Sequence, residues 1–338
     1  MVDQYVVVFG LAVGLSYVYA FVGGFTDAAN AIATSVGTRV LSPRAAVVMA
    51  GVFNLFGGLM GTSVALTIGT GLVDPGVLSL VTVVAALAGA MVWSLFTYFF
   101  GIPVSETHGL IGGLIGAAVA TAGLDVVQWG NLTKVLGAIV VSPSMGFVGG
   151  AAFLLLIYWT FRRSRPAKVK PWFRHLQRMS AAYMAFSHGR NDAQKPMGIL
   201  AMTLALYSGA DQVRVPLWVV VSCATVATLG TIYGGWRIIH TLGQRITALD
   251  PVQGFAAEVA GATVIQIASE LGIPVSTTHA ITSSILGVGA LRRLSAVRWT
   301  IIADIFASWL LTLPVTMVLG ALCVLLLRGL FALIGELV

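Results

Sequence analysis

Six stretches of this chain, 5–23, 45–61, 76–100, 132–160, 214–235 and 299–327, are long, apolar and nearly free of charge. About 20 apolar residues in a helix suffice to cross the hydrocarbon core of a bilayer. Backbone groups without partners are costly in lipid, and the alternating pattern of a membrane barrel is absent, so the expected fold is an all-α polytopic membrane bundle. The whole composition agrees: 9% of residues are charged, against roughly 25% in soluble domains. The opening "MVDQYVVVFG" has no basic flank ahead of its apolar run, so it reads as a retained helix and not as a cleaved signal.

The net charge of +7 does not point to nucleic acid, because in a membrane chain the place of each charge matters more than the sum. Seven of the 19 Lys and Arg residues fall between Arg162 and Arg178 in "FRRSRPAKVKPWFRHLQR". This reads as a solvated cytoplasmic loop with anionic lipid as a secondary partner. Cys223 and Cys323, the only cysteines, lie inside apolar segments and suggest packing, with neither a disulfide framework nor a metal site.

The basic segment, 161–178, separates two parts of similar length, 1–160 and 179–338. Each contains five apolar passages: near 5–23, 45–68, 76–100, 107–124 and 132–160, then near 179–208, 214–236, 253–271, 277–291 and 299–327. An odd number per part makes the second begin on the opposite side of the membrane, as in an inverted repeat. With the central loop inside, Arg39, Arg44, Arg237, Arg245, Arg292, Arg293 and Arg298 are inside too, while Lys134, Arg214 and Arg328 are outside. That asymmetry follows the positive-inside rule, and Trp129, Trp159, Trp236 and Trp299 sit near passage ends as interface anchors. Both chain termini are then expected outside.

Each part carries the same polar sentence, "GIPVSETH" at 101–108 and "GIPVSTTH" at 272–279, identical at seven of eight positions. Gly and Pro precede a hydroxyl cluster and then an apolar helix too short to span, which predicts re-entrant or broken helices. Ser105 and Ser276 are the expected N-caps, leaving free N–H groups and the positive end of a helix dipole to face an anion. His108 and His279 follow the hydroxyls; donating to an oxyanion, carrying a proton and merely orienting the turn are all open to them.

A second pair of segments places carboxylates in apolar surroundings. These are "GFTDAANAIATSVGT" at 24–38 and "FSHGRNDAQKPMGILAM" at 186–202, with Asp27-Ala28 matched by Asp192-Ala193. Ionised groups inside a membrane are functional candidates unless they lie in headgroup water. Asp27, Asn30, Thr34 and Ser35 are expected along adjoining turns of an interrupted helix, and hard oxygen ligands of this kind suit a small alkali cation. Arg190, Asn191, Gln194 and Lys195 crowd around Asp192.

These segments, "GFTDAANAIATSVGTRVLSPR", "SHGRNDAQKPMGI" and the two Pro-Val-Ser motifs, resemble the inorganic phosphate transporters usually called the PiT family, over essentially the whole chain. The resemblance implies a secondary transporter, not an enzyme, that imports inorganic phosphate with Na+ or H+ by alternating access. It also implies a multi-pass protein of the cell (inner) membrane, commonly a homodimer, with no cofactor beyond the coupling ion. It carries phosphate and cation ligands onto Asp27, Asn30, Ser105, Thr107, Asn191, Asp192, Ser276, Thr277 and Thr278, with Na+ at Asp27, Asn30 and Asp192. The phosphate side would add His108, Lys195 and His279, and the coupling side Thr34, Ser35 and Glu106.

Three positions depart from that pattern: Thr26 where Asn or His is usual, Glu106 where a small hydroxyl residue is usual, and Lys195 in register with Asn30. Lys195 reads equally as a fixed positive charge replacing a mobile cation and as a simple partner that neutralises Asp192. Sulfate on the same scaffold is the nearest alternative substrate, disfavoured because a carboxylate repels an anion that has no proton to share. A channel would show a continuous polar path, and a membrane-embedded enzyme a nucleophile pair or a His-rich metal spacing.

Overall fold

The computed structural model describes residues 4–74 and 77–333. Among them the regular structure is helical, with one isolated bridge between Val73 and Val127. In chain order the helices are α1 (Gln4–Gly37), α2 (Pro43–Gly58), α3 (Ser63–Thr70), α4 (Leu80–Phe99), α5 (Glu106–Ala122), α6 (Trp129–Thr160), α7 (Pro166–Asp192), α8 (Gln194–Ser208), α9 (Leu217–Tyr233), α10 (Trp236–His240), α11 (Pro251–Glu270), α12 (Thr277–Arg292) and α13 (Trp299–Leu333). α1, α4, α6 and α13 are each long and apolar enough to cross a membrane. The passages expected at 45–68 and 214–236 are bent pairs: α2 with α3 at 69°, and α9 with the segment Trp236–Arg245 at 61°. Gly76, the expected start of the third passage, lies outside the described residues, as do both chain termini.

Two expectations are corrected. The helix carrying Asp27 is uninterrupted from Gln4 to Gly37; the break falls in the other segment, where α7 ends at Asp192 and α8 starts at Gln194. The Ala-rich run around Asp27 and Asn30 has no Pro and keeps its ladder, whereas Pro196 lacks the N–H that would bond back to the carbonyl of Asp192. The basic segment is also less loop than its charges suggest, since α7 begins at Pro166 and the residues to Arg178 form its first turns, mostly exposed but with Phe173 and Gln177 buried. Proline at the first helical position favours this start, and the helix continues through a second proline, Pro171.

The short helices α5 and α12 lie inside the protein, with every residue from Glu106 to Ala118 and from Thr277 to Gly289 buried. At 17 and 16 residues each is about 25 Å long, short of the ~30 Å hydrocarbon core. Their partners are exchanged between the two parts of the chain: α5 packs chiefly on α13, and α12 chiefly on α6. Glycine permits that closeness. A Cβ on Gly116 would stand 1.9 Å from the Met317 carbonyl oxygen, and one on Gly287 2.1 Å from that of Phe147.

The arginine-bearing segments gather at one end of the bundle. Gly37 lies against the Gly243 carbonyl, Arg178 Nε donates to the Val40 carbonyl at 3.4 Å, and the Arg298 amide donates to that of Ile246 at 3.0 Å.

Candidate functional site

The two Pro-Val-Ser motifs fold alike. α4 and α11 each stop at a glycine with positive φ, Gly101 at 68° and Gly272 at 67°. The amides of Ile102 and Ile273 reach back to the carbonyls of Thr97 and Ala268, a helix-ending pattern that glycine accommodates without a Cβ clash. The chain then runs extended through Pro and Val to Ser105 and Ser276, whose hydroxyls accept from the amides of His108 and His279 at 3.1 Å in both cases. Both expected caps are therefore present. The amides at the first two positions of α5 and α12, Glu106, Thr107, Thr277 and Thr278, stay outside the helical ladder and outside the serine cap. Thr107 Oγ1 donates to the Val275 carbonyl at 2.9 Å, joining one motif to the other.

Around the start of α12 the sequence-expected residues form one network. Thr278 Oγ1 donates to Asp27 Oδ1 at 3.0 Å, and Thr277 Oγ1 to Asp192 Oδ2 at 3.2 Å. Asn30 Nδ2 lies 3.0 Å from Asp27 Oδ1, 3.2 Å from Thr277 Oγ1 and 2.9 Å from Thr278 Oγ1. Lys195 Nζ stands between the carboxylates, 3.1 Å from Asp192 Oδ1 and 3.7 Å from Asp27 Oδ2. The side chains of Lys195, Asp27 and Asp192 are only 4%, 6% and 9% exposed, so this is a buried triad, where partners matter far more than at a surface. With all three ionised it carries net −1. Asn30 Oδ1 is buried without a hydrogen-bond partner, and one donor atom each from Asp27, His188 and Asp192 lie within 4.8 Å of one another. Of these atoms the oxygens of Asp27, Asn30 and Asp192 are the ones that fit a small hard cation; the imidazole nitrogen of His188 is not such a ligand.

Other expected residues lie in neighbouring groups. Glu106 lines the same cavity as Asp192 and Lys195 but takes its hydrogen bonds elsewhere, accepting from Thr26 Oγ1 at 2.7 Å and Ser94 Oγ at 2.6 Å. Asn191 donates to Ser269 Oγ at 3.0 Å. His108 and His279 meet edge to face with ring centroids 4.8 Å apart, and His279 stacks on Trp309 at 3.8 Å. Both ring nitrogens of His279 are buried and without partners. Ser35 Oγ only caps back to the Ile32 carbonyl.

Thr34 leads to a residue the sequence reading passed over. Its hydroxyl donates to Glu258 Oε1 at 2.5 Å, with Gln177 Nε2 at 3.2 Å and the Ser180 hydroxyl on Oε2. Glu258 is fully buried in the middle of α11. A carboxylate within the apolar passage 253–271 is the same signal that singled out Asp27. His188 was missed as well; it bridges Asp192 Oδ2 at 3.2 Å and Asn54 Oδ1 at 3.1 Å. Glu258→Gln should keep most of this cluster and cost no more than ~1 kcal/mol. Glu258→Ala orphans three donors, each costing about 1–3 kcal/mol when buried, so denaturation of the detergent-solubilised protein should show a loss of several kcal/mol for Ala alone.

A model of the phosphate transporter family matches residues 23–320. A protein of Rhizobium meliloti (strain 1021) is 49% identical over 93% of this chain and 96% of its own length, and one of Bacillus subtilis (strain 168) is 42% identical over 93% and 95%. Both are named "Probable low-affinity inorganic phosphate transporter". A solved structure described as "The sodium-dependent phosphate transporter" superposes with a TM-score of 0.89 at 26% identity, covering 95% of this chain and 99% of that one.

Proposed function

The chain belongs to the phosphate transporter family, and we propose that it imports inorganic phosphate by symport with Na+ or H+, through alternating access of one buried site. The observation that carries the reading is the meeting of Thr277 and Thr278, at the start of α12, with Asp27, Asn30 and Asp192 around Lys195. Phosphate near neutral pH is a mono- or dianion, and burying it bare is prohibitive. The free amides of α5 and α12 and the hydroxyls around them supply donors, Lys195 supplies positive charge, and the coupling cation offsets the carboxylates. A carboxylate accepts a hydrogen bond from the P–OH of protonated phosphate and repels sulfate, which has no proton to give, and this favours phosphate.

The two parts, 1–160 and 179–338, act in this reading as inverted repeats whose motifs approach from opposite faces. The basic segment lies in the cytoplasm, the protein sits in the cell membrane, and the working unit is a homodimer. If cations and phosphate together move net +1 per cycle, a potential of 100 mV contributes about 2.3 kcal/mol, roughly fiftyfold in accumulation. The name of the solved neighbour supports Na+. Glu106, His108 and His279 are the proton-bearing alternative.

The test is uptake of labelled phosphate into proteoliposomes with Na+ and pH gradients imposed separately and sulfate as competitor. Uptake driven by one gradient and resistant to sulfate is expected, and no uptake under either would refute the reading. Lys195 gives a sharper expectation. Lys195→Asn takes the triad from net −1 to net −2, so it should require one more cation per phosphate, read as a higher Na+ or H+ coupling ratio from reversal potentials. An unchanged ratio would leave Lys195 as a structural partner of Asp192 alone.

A further inference from the structure

Away from the triad, at the arginine-rich end of the bundle, a cavity of about 430 Å³ lies between the end of α4 and the stretch from α10 through its π-helical extension. Its chemistry is divided. Arg237, His240 and Arg245 supply positive or hydrogen-bonding groups, while Phe99, Phe100 and Trp236 supply rings that are 64%, 57% and 43% exposed. No carboxylate is among the lining residues. Arg237 is already held in place, its guanidinium 4.8 Å over the Phe99 ring and its Nη1 on the Phe99 carbonyl, which leaves other N–H groups free to bind an acceptor.

We propose that this cavity binds the headgroup of an anionic phospholipid, with the phosphodiester on Arg237 and Arg245 and the upper acyl chains against Phe99, Phe100 and Trp236. Charge complementarity selects the anion. Exposed aromatics beside the arginines select a lipid over a free ion, because rings of this kind settle at the headgroup level and basic pockets between membrane helices capture acidic headgroups. The site also touches the turn that ends α4 at the first motif: Thr241 Oγ1 donates to the Gly101 carbonyl at 2.8 Å, and Gly101 lines the cavity. A bound headgroup therefore braces the turn from which α5 starts.

Native mass spectrometry of the purified protein tests this without any assay of transport. The probes are phosphatidylglycerol, phosphatidylcholine and inorganic phosphate. Wild type should retain phosphatidylglycerol in preference to phosphatidylcholine. Arg245→Gln should weaken that retention about fivefold, and Arg237→Gln with Arg245→Gln more than tenfold, since each basic residue at a membrane surface contributes about a factor of five. Arg245→Gln leaves the Arg237 anchor on α4 intact, so its reading does not depend on the double variant folding. Equal retention of the two lipids, undiminished phosphatidylglycerol binding in a folded variant, or displacement of phosphatidylglycerol by equimolar inorganic phosphate would each overturn the proposal.

Discussion

Asp192→Asn is expected to fold and yet to lose phosphate uptake by about a hundredfold, the effect of roughly 3 kcal/mol withdrawn from a buried charged site. An amide oxygen still accepts from Thr277 Oγ1, and Lys195 keeps Asp27 as its counter-charge at 3.7 Å. What disappears is one negative charge, the one that holds the coupling cation in the proposed mechanism. Asp192→Ala goes further. It strips Lys195 of its nearer partner at 3.1 Å and leaves His188 Nε2 without the carboxylate. Breaking a buried ion pair from one side costs about 3–5 kcal/mol, so the Ala variant should lose both uptake and thermal stability. Uptake in proteoliposomes and melting of the detergent-solubilised protein separate the two effects. An Asn variant with wild-type uptake would remove Asp192 from the transport machinery.

The second large effect belongs to packing. Gly287→Val places a branched side chain where even a Cβ would stand 2.1 Å from the Phe147 carbonyl oxygen. That oxygen belongs to the backbone of α6 and cannot swing aside, so α12 must move off the helix that holds it. Overpacking of this kind costs about 3 kcal/mol or more. The variant should fail to give a monodisperse peak in size-exclusion chromatography. Gly149→Ala, on the same α6 but with its nearest neighbour, Ala260 Cβ, at 3.6 Å, should behave as wild type. A well-behaved Gly287→Val protein would mean that α12 and α6 are not packed this closely.

Much of this arrangement was legible in the sequence because lipid leaves few options. Charge-free runs had to be helices, and a Gly-Ile-Pro-Val-Ser repeat had to interrupt them, since glycine ends one helix and serine caps the next. Ser105 and Ser276 were readable as caps for that local reason. The family resemblance put Asp27 and Thr278 in one ligand set, but the bond between them was not readable from spacing, because it spans about 250 residues of chain and depends on how α1 packs against α12. Glu258 escaped because no motif surrounds it; its partners, Thr34, Gln177 and Ser180, come from two other helices. The uninterrupted α1 shows the limit of symmetry as a guide. Asp27 and Asp192 are equivalent in sequence, yet only the second stands at a helix break, where Pro196 follows four residues later.

The central claim is that phosphate binds where α12 meets the Asp27–Lys195–Asp192 triad. Equilibrium binding of radiolabelled phosphate to the purified protein, compared between wild type and Thr277→Ala with Thr278→Ala, tests it most directly. The hydroxyls of these two residues make the links to Asp27, Asn30 and Asp192, while the Ser276 cap remains to hold the helix start. Saturable binding by wild type, resistant to excess sulfate and lost from the folded double variant, is the expected result. Wild-type phosphate affinity in that variant would contradict it.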